Sequence, residues 1–286
     1  MTSTDDERLR LLAAYDDQLR STVDAPSALA VVRHGPLFLV TYAGGRGFVT
    51  YPPLADVDGD GVRQLVVDTL GHYRSDPAIV RVDWKTRGHD DAPGLHETLV
   101  GHGFVPGEPE AVMIGSAESL AVDVPLPDGV TLRKVEDEAD LLAFCQLQAT
   151  VFDIEIAPML QALQRRLAVD PLMELWIADA GGEVVSGGRL EPVAGTEFAG
   201  IWGGATLPEC RGRGIYRALT AARARSALSR GMTLINSDST EYSRPILERY
   251  GFLKVTTTTP YRLDLTAESA QVRAQTGPAG TDRRGA

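Results

Sequence analysis

The chain has 286 residues, 43% hydrophobic and 23% charged, enough for two domains at ~100–200 residues each with a core apiece. Its longest apolar runs, such as residues 37–40, fall far short of the ~20 residues that cross a bilayer, and residues 1–7 lack the basic and apolar regions of a signal peptide. Two cysteines make no disulfide framework and a net charge of −11 gives no basic surplus for a phosphate backbone, so membrane, secreted, fibrous and nucleic-acid-binding classes are set aside and a cytoplasmic protein is expected.

Apolar periodicity predicts a helix over residues 6–20, with Leu12, Tyr15 and Leu19 on one face. Strands follow over 28–33, 36–42 and 47–51, then a helix over 62–74, a strand over 79–84, a short helix over 95–101 and a strand near 111–114. Residues 121–129 interrupt this pattern with Pro125, Pro127 and the turn-forming Asp128-Gly129, and they mark a domain boundary. Beyond it come a strand (130–135), helices over 137–152 and 159–168, and three strands (172–179, 183–191, 197–206) joined by glycine-containing turns. A long Ala/Arg-rich helix (214–230), a strand (232–237), a short helix (245–250) and a last strand pair (252–265) close the second half. The expected organisation is therefore domains at 1–123 and 124–267, with a polar, aperiodic and disordered tail at 268–286. This order is α+β, a mixed and mostly antiparallel sheet in each half with helices on both faces.

The stretch richest in chemistry runs from Thr206 to Leu219. A strand ends at Thr206, Pro208 stops its pairing, and Arg211-Gly212-Arg213-Gly214 opens a helix whose face begins Ile215, Leu219, Ala222. A glycine turn at a helix start presents unpaired N–H groups at the positive end of the macrodipole, which makes an anion site. Arg211, Arg213 and Arg217 add charge around it. The spacing fits neither a nucleoside-triphosphate loop nor the three-glycine dinucleotide turn. Taken alone, the motif also fits a plain helix start with exposed arginines.

The wider order resembles the GNAT superfamily of acyl-CoA-dependent N-acetyltransferases: strand, Pro, Arg-x-x-Gly turn, helix, strand, and a helix ending in Gly251-Phe252. The resemblance covers about residues 130–265. It implies that the turn, read here as Arg211-x-x-Gly214-x-Tyr216, holds the pyrophosphate of acetyl-CoA through Arg211, Gly212, Arg213, Gly214, Ile215, Tyr216 and Arg217. Tyr216 stands where the family has a small residue. The resemblance further implies that Gly204, Ala205 and Thr206 pair with the pantetheine arm, Gly203-Gly204 leaving that backbone unobstructed, and that Ser239 and Thr240 contribute to the same site.

Acyl transfer to an amine needs a neutral nucleophile, a polarised thioester carbonyl and a proton for the leaving thiolate. Many family members place a Tyr four residues before the closing Gly; here that position is Leu247. Asp238, Glu241 and Glu191 are the candidate bases and Tyr242 the candidate acid, while Asp238 and Ser243 serve equally well as turn or cap residues before Pro245. Tyr250 reads as structural, Trp202 as core or acceptor-pocket wall, Cys210 as a passive thiol. All five histidines lie before residue 103 without zinc spacing, and no metal is expected.

The first half echoes the second. Thr50-Tyr-Pro-Pro before a helix parallels Thr206-Leu-Pro-Glu, and Gly103-Phe104 parallels Gly251-Phe252. Its turn, however, carries Asp56, Asp58 and Asp60, which would repel a pyrophosphate; they also imitate the start of a calcium loop whose twelfth position is Val67 instead of Glu. The expectation is a tandem of GNAT-like domains, the first degenerate and without a CoA site. Activity is expected as acetyl-CoA-dependent N-acetylation of a small-molecule amine by direct attack; the alternative is a non-catalytic acyl-CoA-binding module or sensor. The acidic first half would favour a cationic acceptor if it lines the cleft. The oligomeric state is left open, a homodimer included.

Overall fold

The computed structural model describes residues 3–241 and 243–266. Along the chain run α1 (Ser3–Leu19), β1 (Ala30–His34), β2 (Leu37–Tyr42), β3 (Arg46–Thr50), α2 (Gly59–Arg74), β4 (Arg81–Arg87), α3 (Leu95–Gly101), β5 (Val105–Pro106), β6 (Glu110–Ser116) and α4 (Ala117–Leu120). They are followed by β7 (Val130–Lys134), α5 (Glu138–Phe152), α6 (Ile156–Val169), β8 (Glu174–Ala180), β9 (Glu183–Pro192), β10 (Phe198–Thr206), α7 (Ile215–Ser229), β11 (Leu234–Ser239), α8 (Arg244–Glu248) and β12 (Leu253–Asp264). The class is α+β, a largely antiparallel sheet flanked by helices. The strand pair expected over 252–265 is instead the single strand β12. Pro260 is tolerated because β12 changes partner there: pairing with β6 ends at Thr258, pairing with β5 begins at Tyr261, and no bond of either ladder needs the missing N–H.

Two compact units divide the chain, and not by one cut near residue 123. The first takes the N-terminal segment through Ser27, then Arg87–His89 and Pro109–Thr258. The second takes Ala28–Thr86, Asp90–Glu108 and, among the described residues, 259–266. The proline segment expected as a boundary thus lies inside the first unit. The tail expected at 268–286 lies outside the described residues.

In the first unit the strands lie in the order β12-β6-β11-β10-β9-β8-β7, with β10–β11 a parallel pair. Successive residues of β6 point to opposite faces. Val112 and Ile114 meet Leu11, Tyr15 and Leu19 of α1 together with Phe198 and Leu234. Met113, between them, meets Ala224 and Ala227 of α7, Leu247 of α8 and Phe252. The helix expected in a first domain therefore covers the sheet of the GNAT-like half. Burying a Leu- or Phe-sized side chain contributes about 1.5–3 kcal/mol, which is why α1 stays on this face. Small side chains let α7 lie close to the sheet, with Ala218, Ala221, Ala224 and Ala227 all buried. At the C-terminal end of α7, the buried Glu174 carboxylate accepts hydrogen bonds from Lys134 Nζ (2.8 Å), Trp176 Nε1 (2.8 Å), Ser226 Oγ (2.8 Å) and Arg230 Nη2 (2.6 Å). Burial pushes that carboxyl upward, but the four donors outweigh it and hold the group below its ordinary value.

In the second unit β1-β2-β3-β4 are followed by the C-terminal part of β12, which also carries β5. Here β3 and β4 are the parallel pair, joined through α2. Trp84, Tyr51, Phe104, Leu70 and Tyr73 fill the core. Asp58, expected only as part of an acidic turn, caps α2: its Oδ1 accepts from Gly61 N at 2.8 Å.

Candidate active site

Parallel pairing between β10 and β11 covers Phe198↔Leu234, Ala199↔Ile235 and Gly200↔Asn236, then stops. β10 runs on to Thr206 against β9, and β11 runs on to Ser239 against β6. The two strands thus form a fork. The register of β10 on β9 shifts between Trp202 and Ala205, where Gly203 takes φ +57°, a left-handed value that favours glycine. Gln148 Nε2 of α5 donates to the Gly203 carbonyl at 2.7 Å and fixes this bulge. Beyond Gly200, the β11-facing edge of β10 has no strand partner among the described residues. An extended ligand arm can pair there as an added strand.

β10 leads directly into the glycine turn. Arg211 Nε donates back to the Thr206 carbonyl at 3.0 Å, and Gly212 and Gly214 hold φ +73° and +82°. Gly214 is the N-cap of α7 and supplies no side-chain cap, so the first N–H groups of α7 keep their capacity for an anion. Arg211, Gly212 and Arg213 are exposed. The Arg217 guanidinium lies 5.4 Å from the Tyr250 ring centre, a cation–π contact that ties α7 to the end of α8. A pyrophosphate fits this donor set: uncapped amides, a glycine with open space over its Cα at 212, and flanking guanidinium groups.

The expectation of an unobstructed Gly204 needs correction on one face. A Cβ at Gly204 would lie 2.5 Å from Cε2 and 2.9 Å from the hydroxyl of Tyr216, so the tyrosine at the family's small-residue position covers this glycine from the α7 side. Behind it lies Arg223, 1% exposed. Its guanidinium donates to the Arg189 carbonyl (3.0 Å), Thr220 Oγ1 (3.1 Å) and the Leu219 carbonyl (3.4 Å), and Thr220 Oγ1 in turn donates to the Tyr216 carbonyl (2.9 Å). Burial pulls the guanidinium below its ordinary value, and the Tyr216 hydroxyl acts against that. Gly188 makes the room, since a Cβ there would stand 2.5 Å from Arg223 Nη1. Sequence reasoning missed Arg223. Its signal is the spacing Tyr216–Thr220–Arg223, a polar stripe at helical period in a helix otherwise small and apolar on its buried face.

On the opposite face of the fork, cross-strand partners share a side. Glu191 faces Gly200, Arg189 faces Trp202, and Asn236 faces Gly200 from β11. The Trp202 indole folds back over Gly200, where a Cβ would meet Nε1 at 2.3 Å. Asn236 is 6% exposed and its Oδ1 has no hydrogen-bond partner, a buried acceptor at the crotch of the fork. Asp238, two residues further along β11, is on the same face and partly exposed. Glu191 is already engaged: Arg166 donates to both its oxygens at 3.0 and 2.7 Å and Arg189 Nε donates at 3.0 Å. Those three bonds occupy the lone pairs a general base would use. Ser239 is buried at the end of β11 and Thr240 exposed beyond it. Leu247 is 2% exposed in the core under α8, and Tyr242 lies outside the described residues.

A largely antiparallel sheet opened at one parallel pair, with the open strand running through a glycine turn into a helix N-terminus, defines an acetyltransferase fold. Residues 141–252 match the profile of the Acetyltransferase (GNAT) family. Among curated proteins, none matches the sequence. Solved structures share the fold. A GCN5-related N-acetyltransferase from Kribbella flavida is 18% identical with a TM-score of 0.63, covering 88% of this chain and 94% of its own. A tandem GNAT protein from the clavulanic acid biosynthesis pathway is 16% identical with a TM-score of 0.60, covering 92% and 97%. A GCN5-related N-acetyltransferase from Sphaerobacter thermophilus is 17% identical with a TM-score of 0.54, covering 80% and 76%.

Proposed function

We propose that the first unit binds acetyl-CoA along the open edge of β10 and transfers its acetyl group to the amine of a small molecule. The observation that carries this is the fork: a strand that loses its neighbour after Gly200 and ends in an uncapped, glycine-started helix. Pantetheine pairs with Gly204, Ala205 and Thr206. The pyrophosphate sits on the amides of residues 212–217 between Arg211, Arg213 and Arg217, and Ser239 and Thr240 border the cofactor from β11. The acceptor enters the fork on the Asn236 face, its nitrogen attacks the thioester carbonyl directly, and Asp238 takes the nitrogen's proton. Glu191, fixed by Arg166 and Arg189, positions rather than reacts.

The second unit is read as a GNAT-like repeat without a cofactor site, making the chain a tandem. Two observations support this. Asp58 occupies the N-terminus of α2 that Gly214 leaves open on α7, and β3–β4 pairing persists through Val49↔Trp84, so no fork opens there. A non-catalytic acyl-CoA-binding role has one observation in its favour, the buried Leu247 at the position of the family's usual tyrosine.

Titration calorimetry of acetyl-CoA against the wild type and Gly214→Glu tests the reading. One saturable site per chain, abolished in the variant, followed by thiol release that depends on added amine, supports it. Absence of binding overturns it, and binding without transfer to any of a broad panel of amines favours the binding module.

A further inference from the structure

The position that normally protonates the leaving thiolate is filled by a buried leucine, yet a phenol stands at the cofactor strand from another direction. The Tyr216 ring covers Gly204 on β10, its hydroxyl at a height that a Cβ on Gly204 would meet at 2.9 Å. Tyr216 is only partly buried. Behind it, the Arg223 guanidinium is 1% exposed and is held by two backbone carbonyls and the Thr220 hydroxyl, which itself donates to the Tyr216 carbonyl at 2.9 Å; no carboxylate among the described residues bonds it. A buried cation without an anion is costly and is kept where negative charge develops. A further charge that acts on Arg223 is a second cation, Arg189 on β9, whose side chain lies with its carboxylate partner Glu191 on the other face of the sheet. Gly188 and Gly204, on adjacent strands, are the absent side chains that let the guanidinium and the phenol lie under the bulge.

We propose that Tyr216 is the catalytic acid of this acetyltransferase and that Arg223 is its positioning residue. The proposal rests on the acetyl-CoA reading of the fork. In the step, the amine lone pair forms the C–N bond and the C–S bond breaks with its electron pair passing to sulfur. The Tyr216 hydroxyl gives its proton to that sulfur, releasing CoA as the thiol, and the phenolate left behind faces Arg223 until water returns a proton. The proton shed by the new amide nitrogen leaves through Asp238 to solvent, so the books close on amine plus thioester giving amide plus thiol. Arg223 on α7 and Arg189 on β9 are the charged groups around the pair; β10 brings only Gly204 and its apolar neighbour Ala205 to it.

The test uses the full chain and CoA carrying carbon-13 in the methylene next to sulfur, whose shift reports thiol ionisation without interference from tyrosine. In the wild type the bound thiol is expected to ionise at least about one pH unit below free CoA, a tenfold larger thiolate fraction. Tyr216→Phe keeps the ring on Gly204 and is expected to return that ionisation to the free-CoA position. It should also slow amine-dependent turnover by about 100-fold with acetyl-CoA affinity kept. Superimposable titrations of wild type and Tyr216→Phe, both with CoA bound, overturn the role of Tyr216 while leaving the cofactor site intact. Failure of the wild type to bind CoA at all overturns the acetyltransferase reading and this proposal with it.

Discussion

The ring of Phe252 lies flat against the backbone of Gly115: a Cβ at residue 115 would stand 2.5 Å from Cδ2 and 2.8 Å from Cε2 and Cγ. Phe252 is 2% exposed and belongs to the core that packs α7 and α8 on the sheet, so the ring has nowhere to go. Gly115→Ala is expected to cost about 1–3 kcal/mol through overpacking, seen as a lower denaturation midpoint with an unchanged slope in urea. A neutral substitution would show that the ring has room to shift.

Asp238 and Glu191 share a face of the fork, where Glu191 is bound by Arg166 and Arg189. Asp238→Asn should lower amine-dependent turnover by about 100-fold or more, with acetyl-CoA binding retained. Glu191→Gln should keep turnover within a few-fold of the wild type and instead destabilise the fold by about 1–3 kcal/mol, because Arg166 and Arg189 lose their common anchor. Interchanged outcomes would reverse the assignment.

Glu174 links stability to acid. Its carboxyl is lowered from 4.5 in the folded chain, so the unfolded chain binds protons there more readily. The stabilisation is present above about pH 4.5 and is lost as the pH falls through the lower folded value. Glu174→Gln should therefore be less stable than the wild type at neutral pH, with the gap closing progressively below pH ~4.5. Denaturant melts of both proteins between pH 7 and pH 3 measure the gap; a constant difference across that range would contradict the linkage.

Asp58→Ala removes the cap of α2 and is expected to cost about 1 kcal/mol of stability. If the second unit has no cofactor site, acetyl-CoA should still bind once per chain with unchanged affinity. A second binding event uncovered by the substitution would show that the aspartate alone closes a latent site.

The sequence made the local chemistry legible. The glycine turn after Thr206 stands out because positive-φ glycines and a helix start are adjacent in the chain, and Asp137 caps α5, accepting from Asp140 N at 2.8 Å, as a residue of its type before a helix should. α3 occupies the span that its apolar spacing predicts. Pairings over long separations were not legible. β6 ends thirteen residues before β7 begins, yet it is β11, more than a hundred residues on, that lies beside it, and nothing in the alternation of Val112, Met113 and Ile114 names that partner. Pro125 and Pro127 signal a break in periodicity, which a loop inside a unit produces as readily as a boundary between units. Arg223 went unnoticed because a lone arginine in a helix is ordinarily on a solvated face; only the glycine at 188 reveals the space it fills.

The place of α1 and β6 within the first unit bears on how this protein can be taken apart or recombined. A fragment starting at residue 124 would keep every residue of the acetyltransferase signature, yet it would strip Leu11, Tyr15 and Leu19 from one face and remove the strand that closes the edges of both β11 and β12. Because β12 itself begins in one unit and finishes in the other, no single splice point yields two self-contained pieces. The signature segment is thus not a transferable cassette: the sheet that carries the fork is completed by α1 and β6 from outside it.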